Sequence, residues 1–112
     1  MDDKIIITAA ITGSVHIPTM SDYLPLTPDE IVADAVKAWE AGAAIAHIHV
    51  RNPETGMPVS DPDLFMEVHT KIKERCNMVL LPTTGGGMNQ TTEEKLIPIK
   101  KLEPEMCSFD PA

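Results

Sequence analysis

Apolar residues fall in short continuous runs that are separated by segments with helical periodicity. The first run, residues 4–12 (KIIITAAIT), predicts a strand that is buried on both faces. Residues 44–50 and 78–83 predict a second and a third strand, and residues 106–109 are a candidate fourth strand. Short apolar strands that alternate with helices are typical of a parallel sheet covered by helices. The pattern therefore predicts an α/β fold in the order βαβαβαβ, with right-handed crossovers, as a single domain over residues 1–112.

Capping residues predict where helices begin. Thr27 with Glu30, and again Thr91 with Glu94, stand at the spacing of a capping box, in which each side chain bonds the backbone of the other residue. Pro98 lies too deep for an unbroken helix, so we expect a short helix with a break there. The apolar faces consist of Ile31, Ala35, Ala38 and Trp39 in the first helix, and of Leu64, Phe65, Val68 and Ile72 in the second, which begins at Asp61.

The charge balance limits the partners of the protein. Its 112 residues include 17 Asp and Glu against 9 Lys and Arg, which gives a net charge of −8. Nucleic acids and anionic membranes attract basic surfaces, so neither is expected as a partner, but a local basic pocket for a small anion is compatible with this charge. The acidic start lacks a secretory signal, and no apolar run approaches the length of a membrane span. We therefore expect a soluble, cytoplasmic protein with Cys76 and Cys107 as reduced thiols.

The second strand carries two histidines. Because side chains alternate across a strand, His47, His49 and Arg51 share one face, at the carboxyl end where parallel α/β folds carry their sites. Two imidazoles so placed can reach one zinc ion, which needs at least one more ligand. Two core histidines that hydrogen-bond to their neighbours would explain the pattern equally well. Arg51 is a candidate for steering a substrate carboxylate, and a structural salt bridge is at least as good an interpretation.

The other two histidines lie outside this strand. A long loop, residues 14–26, follows the first strand, and its length predicts a mobile or lid-like segment at the same end of the sheet. His16 in this loop could be a further ligand, a proton donor or, as the favoured interpretation, a plain loop residue. His69 lies in the middle of the second helix, where we predict a solvated position. Cys76 has no His or Cys nearby in the sequence and is interpreted as structural.

A glycine-rich turn follows the third strand. Thr83, Thr84, Gly85, Gly86 and Gly87 combine hydroxyl donors with backbone N–H groups that can converge on an anion. The turn is not a P-loop, because the Gly-Lys-Ser/Thr ending is missing. A carboxylate or a carbonyl oxygen is therefore a better candidate ligand than a nucleotide phosphate. A flexible connection without any ligand is the alternative interpretation.

Several segments together resemble one family over essentially the whole chain. They are ITAAITGS, TPDEIVADAVKAWEAGA, HIHVRNPETGMPVSD, TTGGG and EPEMCS. This combination resembles the β-keto acid cleavage enzymes, whose type member is the 3-keto-5-aminohexanoate cleavage enzyme. The resemblance implies a TIM (β/α)8 barrel that holds a divalent metal, usually zinc. It also implies a reaction in which a β-keto acid and acetyl-CoA yield acetoacetate and a new CoA ester.

The resemblance assigns roles to particular residues. It implies that His47 and His49 are metal ligands, and that a third ligand is a glutamate near the end of the seventh strand. It implies that Thr83 contacts the substrate, with Gly85 and Gly86 beside it. The general base and a supporting arginine would lie on later strands, so no catalytic residue is assigned within this chain.

Two features depart from the family pattern. Val15 stands where the type enzyme has a glutamate that helps bind the amino group of its substrate, so an aminated substrate is in doubt. A TIM barrel takes about 250 residues, so this chain supplies only the N-terminal half of one, with four parallel strands. We therefore expect a homo-oligomer or a complementing chain. The rival functions are a non-catalytic half-barrel that binds a metal or a small acid, and a metal-dependent aldolase or isomerase on the same barrel.

Overall fold

The computed structural model describes residues 3–87 and 89–110. Outside the described part lie residues 1, 2, 88, 111 and 112, which include both ends of the predicted single domain. The order is β1 (Thr8–Ala10), a 3-10 turn (Pro18–Met20), α1 (Pro28–Glu40), β2 (Ile45–Ile48), β3 (Val50–Arg51), β4 (Pro58–Val59), α2 (Pro62–Arg75), β5 (Val79–Pro82) and α3 (Thr92–Leu102). Along the chain, strands and helices alternate as the pattern predicts, except that two short strands follow β2 and no strand follows α3 within the described residues.

Three of the strands form a parallel sheet in the order β1-β2-β5. In its register, Ala10 and Leu81 lie on either side of His47. The loops after β1, β2 and β5 therefore leave the sheet at the same end. The predicted α/β class with parallel strands is confirmed, and the barrel stays a prediction. In the part of the chain that the structure describes, no helix is long and apolar enough to cross a membrane.

The second strand is shorter than predicted. Parallel pairing ends at Ile48, and after His49 the chain forms β3, which pairs antiparallel with β4 through Val50 and Val59. The predicted continuous strand over residues 44–50 is therefore two strands in two different sheets.

The first strand and the candidate fourth strand also differ from prediction. Within the described residues β1 pairs only with β2, so it is an edge strand, and the preceding Ile5 is 87% exposed. The prediction of a first strand buried on both faces was therefore wrong. Residues 106–109 do not form a strand. Their one backbone bond to β5 joins the Ser108 N–H to the Pro82 carbonyl at 3.2 Å, which is too little pairing for a ladder.

The predicted helix caps are confirmed, and one further prediction, a break inside α3, is not. Both capping boxes are present, at Thr27 with Glu30 and at Thr91 with Glu94. The expected break at Pro98 was wrong, because α3 continues to Leu102. The Pro98 ring is fully buried, and its packing offsets the loss of one helical hydrogen bond. The core lies between the sheet and the helices and includes Ile31, Val32, Ala35, Ala46, Ile48, Phe65, Val68, Ile72, Met78 and Leu80.

Candidate functional site

The two histidines of the H-x-H run lie against each other. Their Nε2 atoms are 3.2 Å apart, and their rings meet edge to face with centroids 4.9 Å apart. His47 Nδ1 lies 3.1 Å from the carbonyl oxygen of Leu81 on the neighbouring strand. A carbonyl only accepts, so Nδ1 carries the hydrogen of this contact, and in the neutral tautomer with this contact the lone pair is on Nε2 of His47. The two rings therefore meet as the alternation predicts, although β2 ends at Ile48 and His49 lies between β2 and β3.

The protein environment sets the protonation state of His49. Burial, followed by the charges of His47 and Arg51, lowers the pKa of His49 to about 4. His49 is therefore neutral at pH 7, and a neutral imidazole is the form that ligates metals. Desolvation thus supplies the protonation state that a metal site requires.

The spacing of the two Nε2 atoms fits a shared metal ion. Two nitrogens at zinc–nitrogen bond length, in tetrahedral geometry, lie about 3.3 Å apart. The distance of 3.2 Å between His47 and His49 is close to that value. Among residues 3–87 and 89–110, no cluster of three or more His, Cys, Asp or Glu could hold an ion. The described residues therefore offer two candidate ligands, and the metal site stays a prediction.

Arg51 does not face the site as a free guanidinium. It is fully buried, and Nη1 donates to the carbonyls of His16 and Gly56 at 2.8 Å. Nε donates to Thr12 Oγ1 at 3.0 Å, and Nη2 donates to the carbonyl of Gly13. Burial lowers the pKa of this guanidinium. Its partners are carbonyls and a hydroxyl, so the suggested salt bridge is absent from the described residues. Arg51 instead ties the base of the first loop to the β3–β4 turn.

The glycine-rich turn after β5 is held by its own hydroxyl groups. Thr83 is buried, its N–H donates to the carbonyl of Ile48, and its Oγ1 accepts from the N–H of Gly85 at 2.8 Å. Among the described residues, the Thr83 hydroxyl donates no hydrogen bond of its own. The Thr84 N–H donates to Ser108 Oγ at 2.8 Å, and the Thr84 hydroxyl donates to the Ser108 carbonyl at 3.0 Å. Of the two threonines of the turn, Thr83 is therefore the one whose hydroxyl proton is not used in a hydrogen bond among the described residues.

Gly86 is required by the packing around it. Ser60 Oγ donates to Gln90 Oε1 at 2.7 Å across this glycine. A Cβ at Gly86 would lie 2.1 Å from Gln90 Oε1 and 2.4 Å from Ser60 Oγ. The pair therefore clamps the turn to the segment after β4.

A cavity of about 280 Å³ opens between the first loop and the glycine-rich turn. Residues 14–17 and 85–87 form two of its sides, and Met57, Pro58 and Lys95 complete it. Both loops leave the carboxyl end of the sheet, so the cavity lies at the same end as the histidine pair. His16 belongs to this cavity rather than to the pair, and the loop is on the predicted face. Its mobility stays a prediction, although Arg51 fixes its base.

Comparison with known proteins identifies the family of this chain. The family model described as beta-keto acid cleavage enzyme matches residues 4–112. The chain belongs to the beta-keto acid cleavage enzyme family. The family resemblance predicted from the sequence is thereby confirmed.

Three relatives show the range of the family. The chain is 45% identical over 107 residues to a 3,5-dioxohexanoate:acetyl-CoA acetone transferase of Paraburkholderia graminis, with 96% of this chain and 34% of the relative covered. It is 41% identical over 86 residues to a 3-dehydrocarnitine:acetyl-CoA trimethylamine transferase of Rhizobium meliloti, with 77% and 29% covered. It is 40% identical over 109 residues to a 3-keto-5-aminohexanoate cleavage enzyme of Acetoanaerobium sticklandii, with 96% and 39% covered.

The coverage of the relatives is limited. The chain spans between 29% and 39% of the length of these three beta-keto acid cleavage enzymes. The matched part includes the histidine pair, the glycine-rich turn and the cavity, because the family match starts at residue 4.

The prediction of a solvated position for His69 was wrong. The residue is buried in α2, packed beside Phe65 with ring centroids 6.3 Å apart, and not solvated. Burial, followed by the charge of Lys73, lowers its pKa to about 4. Its Nε2 has no hydrogen-bond partner among the described residues. The signal was present in the sequence, since residue 69 stands three or four positions from Phe65 and Ile72 on the apolar face.

Lys95 and Ser108 are site residues that the sequence prediction missed. Lys95 stands eight positions after Gly87, in the first part of α3, and it lines the cavity. The signal in the sequence for a place in the site was that Lys95 stands four residues after the N-cap Thr91. For Ser108, which bonds Thr84, nothing local in the sequence indicated a contact with a turn 24 residues away.

Proposed function

We propose that this chain supplies part of an enzyme in which a β-keto acid and acetyl-CoA yield acetoacetate and a new CoA ester. In this reaction the bond between the keto carbon and the carbon that bears the carboxylate breaks. That carbon becomes bonded to the acetyl group of acetyl-CoA, which gives acetoacetate, and the remaining acyl group of the acid becomes bonded to the CoA sulfur. The observation that carries the proposal is the histidine pair, with Nε2 atoms 3.2 Å apart at the carboxyl end of a parallel sheet. Family membership and the acetyl-CoA transferase names of two relatives support the same chemistry.

We infer that His47 and His49 hold a zinc-like divalent ion, completed by a ligand from outside the described residues. When bound, such an ion supplies a Lewis acid for a keto oxygen. The protein's own contribution is orientation and protonation. The Leu81 carbonyl fixes the His47 ring so that Nε2 presents its lone pair, and burial keeps His49 neutral. Both effects favour the ligand form before any ion arrives.

Thr83, at the start of the glycine-rich turn, is proposed to receive the anionic end of the substrate. Thr83 has a hydroxyl proton to donate while its oxygen accepts from Gly85, and such preorganised donors stabilise negative charge without rearrangement. Gly86 keeps the turn close to the Ser60–Gln90 pair. Thr84 supports the turn through Ser108. Arg51 acts through the first loop, whose base it holds, rather than by direct contact.

The activity test is the formation of acetoacetate from acetyl-CoA and a panel of β-keto acids. Acetoacetate that requires acetyl-CoA supports the proposal. Cleavage that does not require CoA would indicate an aldolase, and metal binding without any turnover would indicate a non-catalytic half-barrel. The assay is run on the chain alone and with added polypeptides that complete the barrel, because the chain spans 29–39% of three relatives.

The metal test uses variants of the pair. His47→Asn and His49→Asn are each expected to lower the affinity for Zn²⁺ by about tenfold or more, because one of the available ligands is lost. His69→Gln is the matched control, since His69 is also buried but lies in α2 among Phe65 and Lys73. Metal content is measured after dialysis, with circular dichroism to verify folding. Equal zinc content in all folded variants would contradict the proposed ligands.

A further inference from the structure

We propose that the cavity between residues 14–17 and 85–87 binds the distal end of the substrate and selects a distal oxygen acceptor, a ketone or a carboxylate, over a distal ammonium. Here the distal end is the part of the β-keto acid beyond the keto carbon. The inference rests on the proposed function, and it adds the class of substituent that this chain accepts.

The walls of the cavity contain no group that would hold a cation. Val15, Ile17, Met57 and Pro58 give it apolar sides, and none of the described residues that line it is an Asp or a Glu. An ammonium group that leaves water needs an acidic partner or several acceptors. The described lining therefore disfavours a cationic substituent, although the chain as a whole carries a net charge of −8.

The charged group that the cavity does contain is Lys95. Four other lysines form ion pairs with Asp or Glu, namely Lys37, Lys71, Lys73 and Lys101. Lys95 is half-buried, and within the described ranges it has neither an ion pair nor a side-chain hydrogen bond. An ammonium group has three donors and no acceptor, so the partner that satisfies it must be an acceptor.

The size of the cavity points to a substituent rather than to the whole co-substrate. Its volume of about 280 Å³ lies at the lower end of small-molecule pockets. It can take a short acyl end, but it is too small for a complete CoA thioester. The distal end of a small keto acid, with its reacting carbons towards the histidine pair, matches this space.

The test uses three stable six-carbon acids that differ only at the distal end: 5-oxohexanoate, adipate and 5-aminohexanoate. Each is titrated into the 112-residue chain, and the amide signals of residues 85–87 are followed by NMR. We expect 5-oxohexanoate and adipate to bind at least about tenfold more tightly than 5-aminohexanoate, because Lys95 attracts oxygen and repels ammonium. A larger preference for adipate would identify a carboxylate, and a larger one for 5-oxohexanoate would identify a ketone.

Substitutions at Lys95 separate this role from general effects on folding. Lys95→Met should remove most of the preference, and Lys95→Glu should shift it towards 5-aminohexanoate. Lys100→Met is the matched control, because Lys100 is an exposed lysine of the same helix and does not line the cavity. It should bind all three acids as the unmodified chain does.

The inference is overturned if 5-aminohexanoate binds as tightly as the other two acids, if Lys95→Met leaves the order unchanged, or if none of the three shifts the signals of residues 85–87. The parallel acetoacetate assay keeps it distinct from the proposed function. Selective binding without acetoacetate from any keto acid would refute the proposed function alone. Equal turnover of amino- and oxo-substituted keto acids would refute the selection alone.

Discussion

Replacing Arg51 by methionine should unfold the end of the sheet that carries the site. The guanidinium is fully buried and makes four hydrogen bonds, to Thr12, Gly13, His16 and Gly56. At about 1 kcal/mol net for each bond, their loss amounts to about 4 kcal/mol. Methionine fills much of the same volume, so the cavity term is small. Because small domains are stable by only about 5–15 kcal/mol, this change is a large fraction of the total.

The assay is urea denaturation followed by circular dichroism, with the midpoint compared at a constant slope. Arg75→Met is the control, since the other arginine of the chain is exposed at the end of α2, and its loss should cost less than about 1 kcal/mol. The loss of stability for Arg51→Lys should lie between the losses for Arg51→Met and Arg75→Met, because an ammonium keeps the charge but cannot span four acceptors.

The result also decides between two roles of Arg51. A structural role predicts a lower midpoint for Arg51→Met whether or not a ligand is present. Direct contact with a substrate carboxylate predicts weaker ligand binding at an unchanged midpoint. A loss of stability below about 1 kcal/mol would therefore refute the argument from the four hydrogen bonds.

The remaining predictions concern the turn, a buried histidine and the sheet edge. Gly86→Ala should destabilise the chain by about 1–3 kcal/mol because it breaks the Ser60–Gln90 bond, and the loss should shrink in a Gln90→Ala background; equal losses in both would contradict this. The depressed pKa of His69 means that the unfolded chain binds more protons between pH 6.5 and about 4, so stability should fall as pH falls through that window. Urea denaturation at pH 7 and pH 5 in EDTA measures this effect. Between the two pH values, the free energy of unfolding of His69→Gln should fall by about 1–2 kcal/mol less than that of the unmodified chain, and an equal fall in both proteins would refute the argument. Light scattering should show association, since residues 5–7 are exposed at the β1 edge; a stable monomer at micromolar concentration would contradict this.

The sequence alone determined what depends on neighbours along the chain. The two capping boxes, at Thr27 and Thr91, formed as predicted because each joins residues three positions apart. The meeting of His47 and His49 was likewise predictable, since alternation along a strand is a local property of the backbone. The three strands of the parallel sheet and the three α-helices of the described residues follow from the same short-range patterns, whereas the β3–β4 pair and the missing strand at residues 106–109 did not.

Only the tertiary structure decided which polar groups are taken up by other parts of the chain. The sequence made Arg51 a candidate for a substrate contact, and the structure adds that the carbonyls of Gly13 and His16, 38 and 35 residues away, accept its hydrogens. Lys95 became part of a cavity because α3 returns beside the first loop. Pro98 is tolerated in a continuous helix because burial of its ring offsets one missing bond. Such outcomes depend on desolvation and on partners distant in sequence, and a local pattern contains neither quantity.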